Sequence, residues 1–220
     1  ASEYVDFYVK KAKKDKCSAF VATGSATADG GIVIGHTTFD DFWAQQAYNI
    51  ALEINTDEGN SFVMQCAPGF SSSQEDFYIN DAGLSVVETT ILGLSTYTTD
   101  GIPYFIRTRN AIQFASTIDE FVEQMNKGNN GGMNASWLIA DRNSNEIARF
   151  EQGLYYQSLE KKKDGYFFGC NVVWDTRIRN LECKGETGFN DPRMQTGARR
   201  VRWPQLLEPN QGAIDASIGM

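Results

Sequence analysis

Cys17 opens a short apolar run, Cys17-Ser-Ala-Phe-Val-Ala-Thr23, and follows a stretch rich in lysine. A cysteine at the head of a strand gains a special chemistry if it is also the first residue of a cleaved chain. Its own α-amine, with an ordinary pKa near ~7.7–8, can take the thiol proton near neutral pH without a histidine. Before cleavage, the same thiol can attack the Lys16 carbonyl and form an ester that water opens. One residue would then account for both maturation and turnover. A cysteine–histidine dyad is the other arrangement available, and it would have to use His36, the only histidine in the chain. A buried structural cysteine is the commoner fate of such a residue and stays open at this point. The chain has no G-x-S-x-G elbow, no P-loop and no G-x-G-x-x-G. Four cysteines without a C-x-x-C pair, beside one histidine, lack the ligands of the usual Cys/His zinc sites, so neither metal nor cofactor is expected.

These residues need a scaffold. The apolar run from Cys17, a turn-forming stretch from Gly24 to Gly31 and the run Ile32-Val-Ile read as a β-hairpin. Further strands are expected at Tyr48–Ile54, Ser61–Cys66, Phe77–Ile79 and Leu84–Thr90, then at Trp137–Ala140, Glu146–Phe150, Leu154–Leu159 and Tyr166–Phe168. Between the two groups Pro103 can open a helix. Thr117 can cap a second, with Glu120 completing a capping box and Gly128 past its end. A further helix is expected over Arg193–Leu207, bent or broken at Pro204, and another starts within Gly212–Met220. Ala1–Lys16 shows helical spacing of Tyr4, Val5, Tyr8 and Val9. Runs of strands flanking a helical pair indicate a layered α+β domain and not an alternating βαβ sheet.

The words around Cys17 carry more. Cys17-Ser-Ala, then Gly35-His-Thr-Thr-Phe-Asp-Asp41, then Asp76-Phe-Tyr-Ile-Asn-Asp-Ala-Gly-Leu-Ser-Val-Val-Glu-Thr-Thr90 resemble the phospholipase B-like proteins. More distantly they are similar to the penicillin acyltransferase and choloylglycine hydrolase branches of the same N-terminal-nucleophile (Ntn) superfamily. Arg107-Thr-Arg109, Asn134–Asp141 and Gly165-Tyr-Phe through Cys170-Asn171 extend the resemblance to about Asn180. It implies a four-layer αββα sandwich, incomplete at the C-terminus, with 1–16 as the remnant of a pro-segment and 17–220 as the hydrolase domain. Autocleavage would fall at Lys16–Cys17, and the products would remain together with a C-terminal continuation. Cys17 would be the nucleophile, and His36 the polar neighbour that relatives place beside it. Asp40 would hold the α-amine, and Asn171 would lend its amide to an oxyanion hole. Thr90 stands where choloylglycine hydrolases have asparagine, so a hydroxyl or backbone N–H would have to donate there. Each has a plainer alternative: a structural histidine, a turn-capping aspartate, a packed strand threonine. Asn80 reads as a turn former, and Arg107 and Arg109 as ion-pair formers. Phe39, Phe42, Trp43, Phe70, Tyr78 and Trp174 could wall an acyl pocket or simply pack.

The implied reaction is cleavage of an acyl amide by a cysteine acyl-enzyme. A lipid ester deacylase is the second reading, and a non-catalytic secreted binding domain the third. Composition limits the partners. The 220 residues carry a net charge of −8, from 20 basic and 28 acidic side chains, which argues against a nucleic-acid partner. Five lysines in the first sixteen residues make a short basic arm ahead of an acidic body. No stretch reaches the roughly 18 apolar residues of a membrane span. The residues do not single out a compartment; an exported, periplasmic or lysosome-like one is expected. Asn134-Ala-Ser136 is a lone glycosylation triplet.

Overall fold

The computed structural model describes residues 16–39, 46–73, 76–185 and 187–219. The expected N-terminal helix, Asp40, Phe42 and Trp43 lie outside the described residues.

Strand β1 (Lys16–Thr23) lies between β2 (Val33–Phe39) and β10 (Gly165–Gly169) in a three-stranded antiparallel sheet. The expected hairpin is therefore present, with Cys17 opposite Thr38 and Ala19 opposite His36. A second antiparallel sheet runs in chain order: β3 (Ile50–Ile54), β4 (Phe62–Cys66), β5 (Phe77–Asn80), β6 (Leu84–Thr90), β7 (Ala135–Asp141), β8 (Glu146–Gln152) and β9 (Gln157–Lys162). Helices α1 (Tyr104–Phe114) and α2 (Ile118–Asn126) follow β6, and α3 (Gln195–Leu207) and the short α4 (Ala216–Gly219) close the described chain.

Both faces of β1 are covered, which explains the unbroken apolar run Ala19–Ala22 along it. Ala19 and Val21 pack with Val87, Leu138, Ile147 and Phe167 between the sheets. Phe20 and Ala22 point the other way and pack with Phe168, Trp203 and Leu207, placing α3 on the outer face of the small sheet. On the far side Ala111, Ile112, Phe121 and Met125 of the helix pair bury the outer face of the large sheet against Met64, Tyr78, Trp137 and Phe150. Helix, sheet, sheet and helix make four layers, the α+β sandwich expected from the sequence.

Most expected elements fall within a residue or two, and the larger departures have identifiable causes. Pro103 sits at the N-cap of α1, and the Thr117 hydroxyl accepts the Glu120 N–H at 3.2 Å. The Glu120 carboxylate returns to the N–H of Ser116, one residue earlier than a capping box requires. β9 begins at Gln157 and not Leu154, because the buried Glu182 carboxylate takes the N–H groups of Leu154, Tyr155 and Tyr156 at 2.7–3.2 Å. Those three amides are thereby lost to the ladder. α3 is continuous through Pro204, which stands in its last turn and forfeits a single hydrogen bond. The Asn134 side chain is buried, so the triplet it heads offers no surface for a glycan.

Arg107 and Asn80 are framework residues. The Arg107 guanidinium donates to the carbonyls of Ile102, Met125 and Gly131 and to Gln152 Oε1. Asn80 donates to Ile112 and Ala115 and accepts from the Leu84 N–H, tying α1 to the β5–β6 turn. Arg109 stacks over the Phe62 ring at 4.6 Å.

Candidate active site

The site forms where the mouth of the small sheet meets β6 and α3. Alternation along β1 turns Cys17, like Ala19, toward the large sheet, and only 2% of the residue is exposed. His36, opposite Ala19 in the ladder, shares that face. Its Nε2 lies 2.9 Å from the carbonyl oxygen of Glu88 on β6. A carbonyl only accepts, so Nε2 carries the hydrogen and Nδ1 presents the lone pair.

Asn171 follows β10 in a left-handed conformation, φ 62°, which asparagine tolerates better than most residues. Gly169 permits the approach that brings it there: an added Cβ would stand 2.6 Å from Thr89 Oγ1 on β6. The Asn171 side chain is fully buried and binds at both ends. Oδ1 accepts the Cys17 N–H at 3.0 Å, and Nδ2 donates to the Thr90 carbonyl at 2.8 Å. Among the described residues its second Nδ2 hydrogen has no partner. Thr90 thus meets Asn171 through its carbonyl, while its hydroxyl donates to the Glu88 carboxylate at 3.1 Å. That is a different part from the donor expected at this position.

Two residues were not singled out from the sequence. Arg199 reaches in from α3 and donates to the Cys17 carbonyl oxygen, to Ser18 Oγ at 3.1 Å and to Asn171 Oδ1 at 2.8 Å. Position 197 is glycine because the turn before α3 packs directly on the helix; a Cβ there would collide with the carbonyl oxygens of Asp191 and Gly188. Asp76 precedes β5 with φ 57° and is 7% exposed. Cys17 Sγ, a ring nitrogen of His36 and a carboxylate oxygen of Asp76 all lie within 4.8 Å of one another. Asp76 was legible only as part of the word Asp76-Phe-Tyr-Ile-Asn80, and nothing in the sequence separates Arg199 from Arg200 and Arg202 on the same helix. Of the proposed pocket aromatics, Tyr78 is core, Trp174 packs edge-on to Phe168 and Phe189, and Phe39 and Phe70 are exposed.

Burial pushes the His36 pKa down to about 4, against the opposing pull of its bond to the Glu88 carbonyl. Cys17 and Asp76 face the ring, and Glu88 backs it. The folded imidazole therefore stays neutral where the unfolded chain, with a pKa near 6.5, has already taken up a proton. Stability is expected to be complete above pH ~6.5 and to fall by up to about 3 kcal/mol as pH drops toward ~4. Urea midpoints of wild type and His36→Asn across that range check this: the variant loses this part of the slope. An unchanged slope would assign the acid sensitivity to other groups.

The chain matches the family model described as Phospholipase B over residues 2–159. It belongs to the phospholipase B family. It is 28% identical over 207 residues to phospholipase B-like protein A of Dictyostelium discoideum, an alignment covering 82% of this chain and 34% of that protein. It is 27% identical over 131 residues to putative phospholipase B-like 1 of Caenorhabditis elegans, covering 57% of this chain and 23% of the relative. The phospholipase B-like chain thus spans about a third or less of the length of these relatives. Among solved structures it is similar to a mutant of the conjugated bile acid hydrolase from Clostridium perfringens. That likeness has 12% identity and a TM-score of 0.49, over 91% of this chain and 76% of the other.

Proposed function

We propose that this phospholipase B-like chain is an Ntn acyl hydrolase that cuts its own Lys16–Cys17 bond and then hydrolyses an acyl amide through Cys17. The observation that carries the reading is the grip of Asn171 Oδ1 on the Cys17 nitrogen at 3.0 Å. That atom is the leaving nitrogen of self-cleavage and the α-amine of the mature enzyme. A buried amide oxygen fixed by Thr90 and Arg199 would hold it in one place through both reactions.

In self-cleavage Cys17 Sγ bonds to the Lys16 carbonyl carbon, the C–N bond breaks, and the proton lost from the thiol ends on the Cys17 nitrogen, which becomes an amine. Water then opens the resulting thioester, regenerating the Cys17 thiol and leaving Lys16 with a free carboxylate, and Ala1–Lys16 stays bound to the body. In turnover the α-amine takes the thiol proton, the thiolate attacks the substrate carbonyl, and the second Nδ2 hydrogen of Asn171 meets the developing oxyanion. The Arg199 cation stabilises the same negative charge. The ammonium then gives its proton to the leaving nitrogen as the C–N bond breaks, and water releases the acyl group from Cys17. His36, held neutral, and Asp76 flank the thiol, and Asp40 serves the freed amine. All four cysteines are thiols, Cys17 included, as a nucleophile requires.

The family match favours a second reading, a deacylase of glycerophospholipid esters that uses the same groups. Both predict an acyl group on Cys17. Purified protein quenched during turnover of an N-acyl amide or a diacyl phospholipid is expected to carry the acyl mass on the peptide that begins at Cys17. The ratio of kcat/KM for the two substrates chooses between amide and ester. Turnover that leaves no adduct on Cys17 and survives its alkylation would remove the nucleophile from both readings.

A further inference from the structure

The sequence holds too few cysteines and histidines for a zinc site of the usual kind, yet the fold supplies a third donor of another type. Sγ of Cys17, a ring nitrogen of His36 and a carboxylate oxygen of Asp76 converge within 4.8 Å, and Cys17 and Asp76 are almost fully buried. We propose that these three side chains form a binding site for a thiophilic divalent cation of the zinc class, seated on the nucleophile.

The donor set selects the ion. One thiolate, one imidazole and one carboxylate suit zinc, whereas calcium and magnesium call for oxygen ligands throughout. With a Zn–S bond of about 2.3 Å and a Zn–N bond of about 2.0 Å, the edge of a coordination tetrahedron is roughly 3.5 Å. Donors already within 4.8 Å reach that spacing by side-chain rotations of an ångström or so.

The supporting groups also fit. His36 Nε2–H is given to the Glu88 carbonyl, the outer contact that usually orients a metal-bound imidazole, and this leaves Nδ1 to coordinate. The Asp76 carbonyl accepts the Glu88 N–H at 3.2 Å, so β6 anchors two of the three ligands through one residue. Three protein ligands leave a fourth position for water. On binding, the S–H bond of Cys17 breaks, a Zn–S bond forms and the proton leaves to solvent. A sulfur held in this way cannot attack a carbonyl, so the ion would act as a reversible cap on the thiol.

Cobalt(II) alone, titrated into the full chain and then competed with zinc, tests the site. One equivalent is expected to raise a thiolate-to-cobalt charge-transfer band in the near ultraviolet, and zinc is expected to abolish it. Cys17→Ala should lose the band, while Cys183→Ala keeps it. His36→Asn and Asp76→Asn should each weaken cobalt binding by at least ~10-fold, with near-ultraviolet circular dichroism confirming that each variant is folded. A band that survives Cys17→Ala, or no sulfur band at saturating cobalt, would overturn the site. Cobalt uptake needs no turnover. A chain that binds cobalt and hydrolyses nothing fails the hydrolase reading alone, and an active chain without the band fails this one alone.

Discussion

Cys17→Ala is expected to remain one uncut chain and to lose turnover by on the order of 10⁶-fold, the scale on which a covalent enzyme loses its nucleophile. Both losses follow from one atom. Cleavage of the Lys16–Cys17 bond needs a thiol within reach of the Lys16 carbonyl, and turnover needs the same thiol beside a free amine. The substitution is mild for the fold. Cys17 is buried at the end of a strand whose neighbours Ala19 and Ala22 are already alanine, and its backbone bonds to Asn171 and Arg199 do not involve sulfur. An inactive but folded variant is therefore the expected state. Cys17→Ser should cut slowly, because a hydroxyl is a poorer nucleophile than a thiol near neutral pH. Intact mass and N-terminal sequencing of the three proteins after long incubation report the outcome. Cutting of Cys17→Ala at the same bond would assign the cleavage to an outside protease. A wild-type chain that turns over substrate while uncut would end the Ntn mechanism, since a peptide nitrogen is no base.

What could be read from the sequence divides along a physical line. Strands β1 and β10 announced themselves because each carries a short apolar run closed by glycine or polar turns, and local pattern decides such elements. Cys17 and His36 were within reach as candidates for the same reason: adjacent strands of a hairpin bring them onto one face. Arg199 was not, because its place in the site depends on how α3 docks. That docking is set by Trp203 and Leu207 packing on Phe20, a contact between distant parts of the chain. Asp76 is a similar case, an acidic residue before a strand until the two sheets stack and bring it against Cys17. The start of β9 escaped pattern reading because a carboxylate from far along the chain, Glu182, takes the amides that would have extended the strand. Pairwise meetings across layers leave no periodic trace.

Asn171→Asp is expected to lower kcat by ~10²–10³-fold while the protein stays folded, and the geometry says why this substitution separates two functions of one side chain. An aspartate keeps an oxygen where Oδ1 now accepts the Cys17 N–H and the Arg199 guanidinium, so the grip on the nitrogen survives. Arg199 also supplies the countercharge that a fully buried carboxylate needs. Aspartate tolerates the left-handed backbone at this position nearly as well as asparagine, whereas Asn171→Ala would add roughly 1–2 kcal/mol of backbone strain to the loss of its bonds. What the aspartate cannot supply is the amide hydrogen. Nδ2 becomes an oxygen facing the Thr90 carbonyl, and the hydrogen left over for an oxyanion is replaced by negative charge. Self-cleavage and turnover should therefore slow together, with KM moving less than kcat, because the missing donor acts on charge that develops only at the transition state. Steady-state kinetics on material matched to wild type by urea unfolding decides it. A kcat within about threefold of wild type, under ~1 kcal/mol of barrier, would take Asn171 out of the oxyanion hole and leave it only as the clamp on the Cys17 nitrogen.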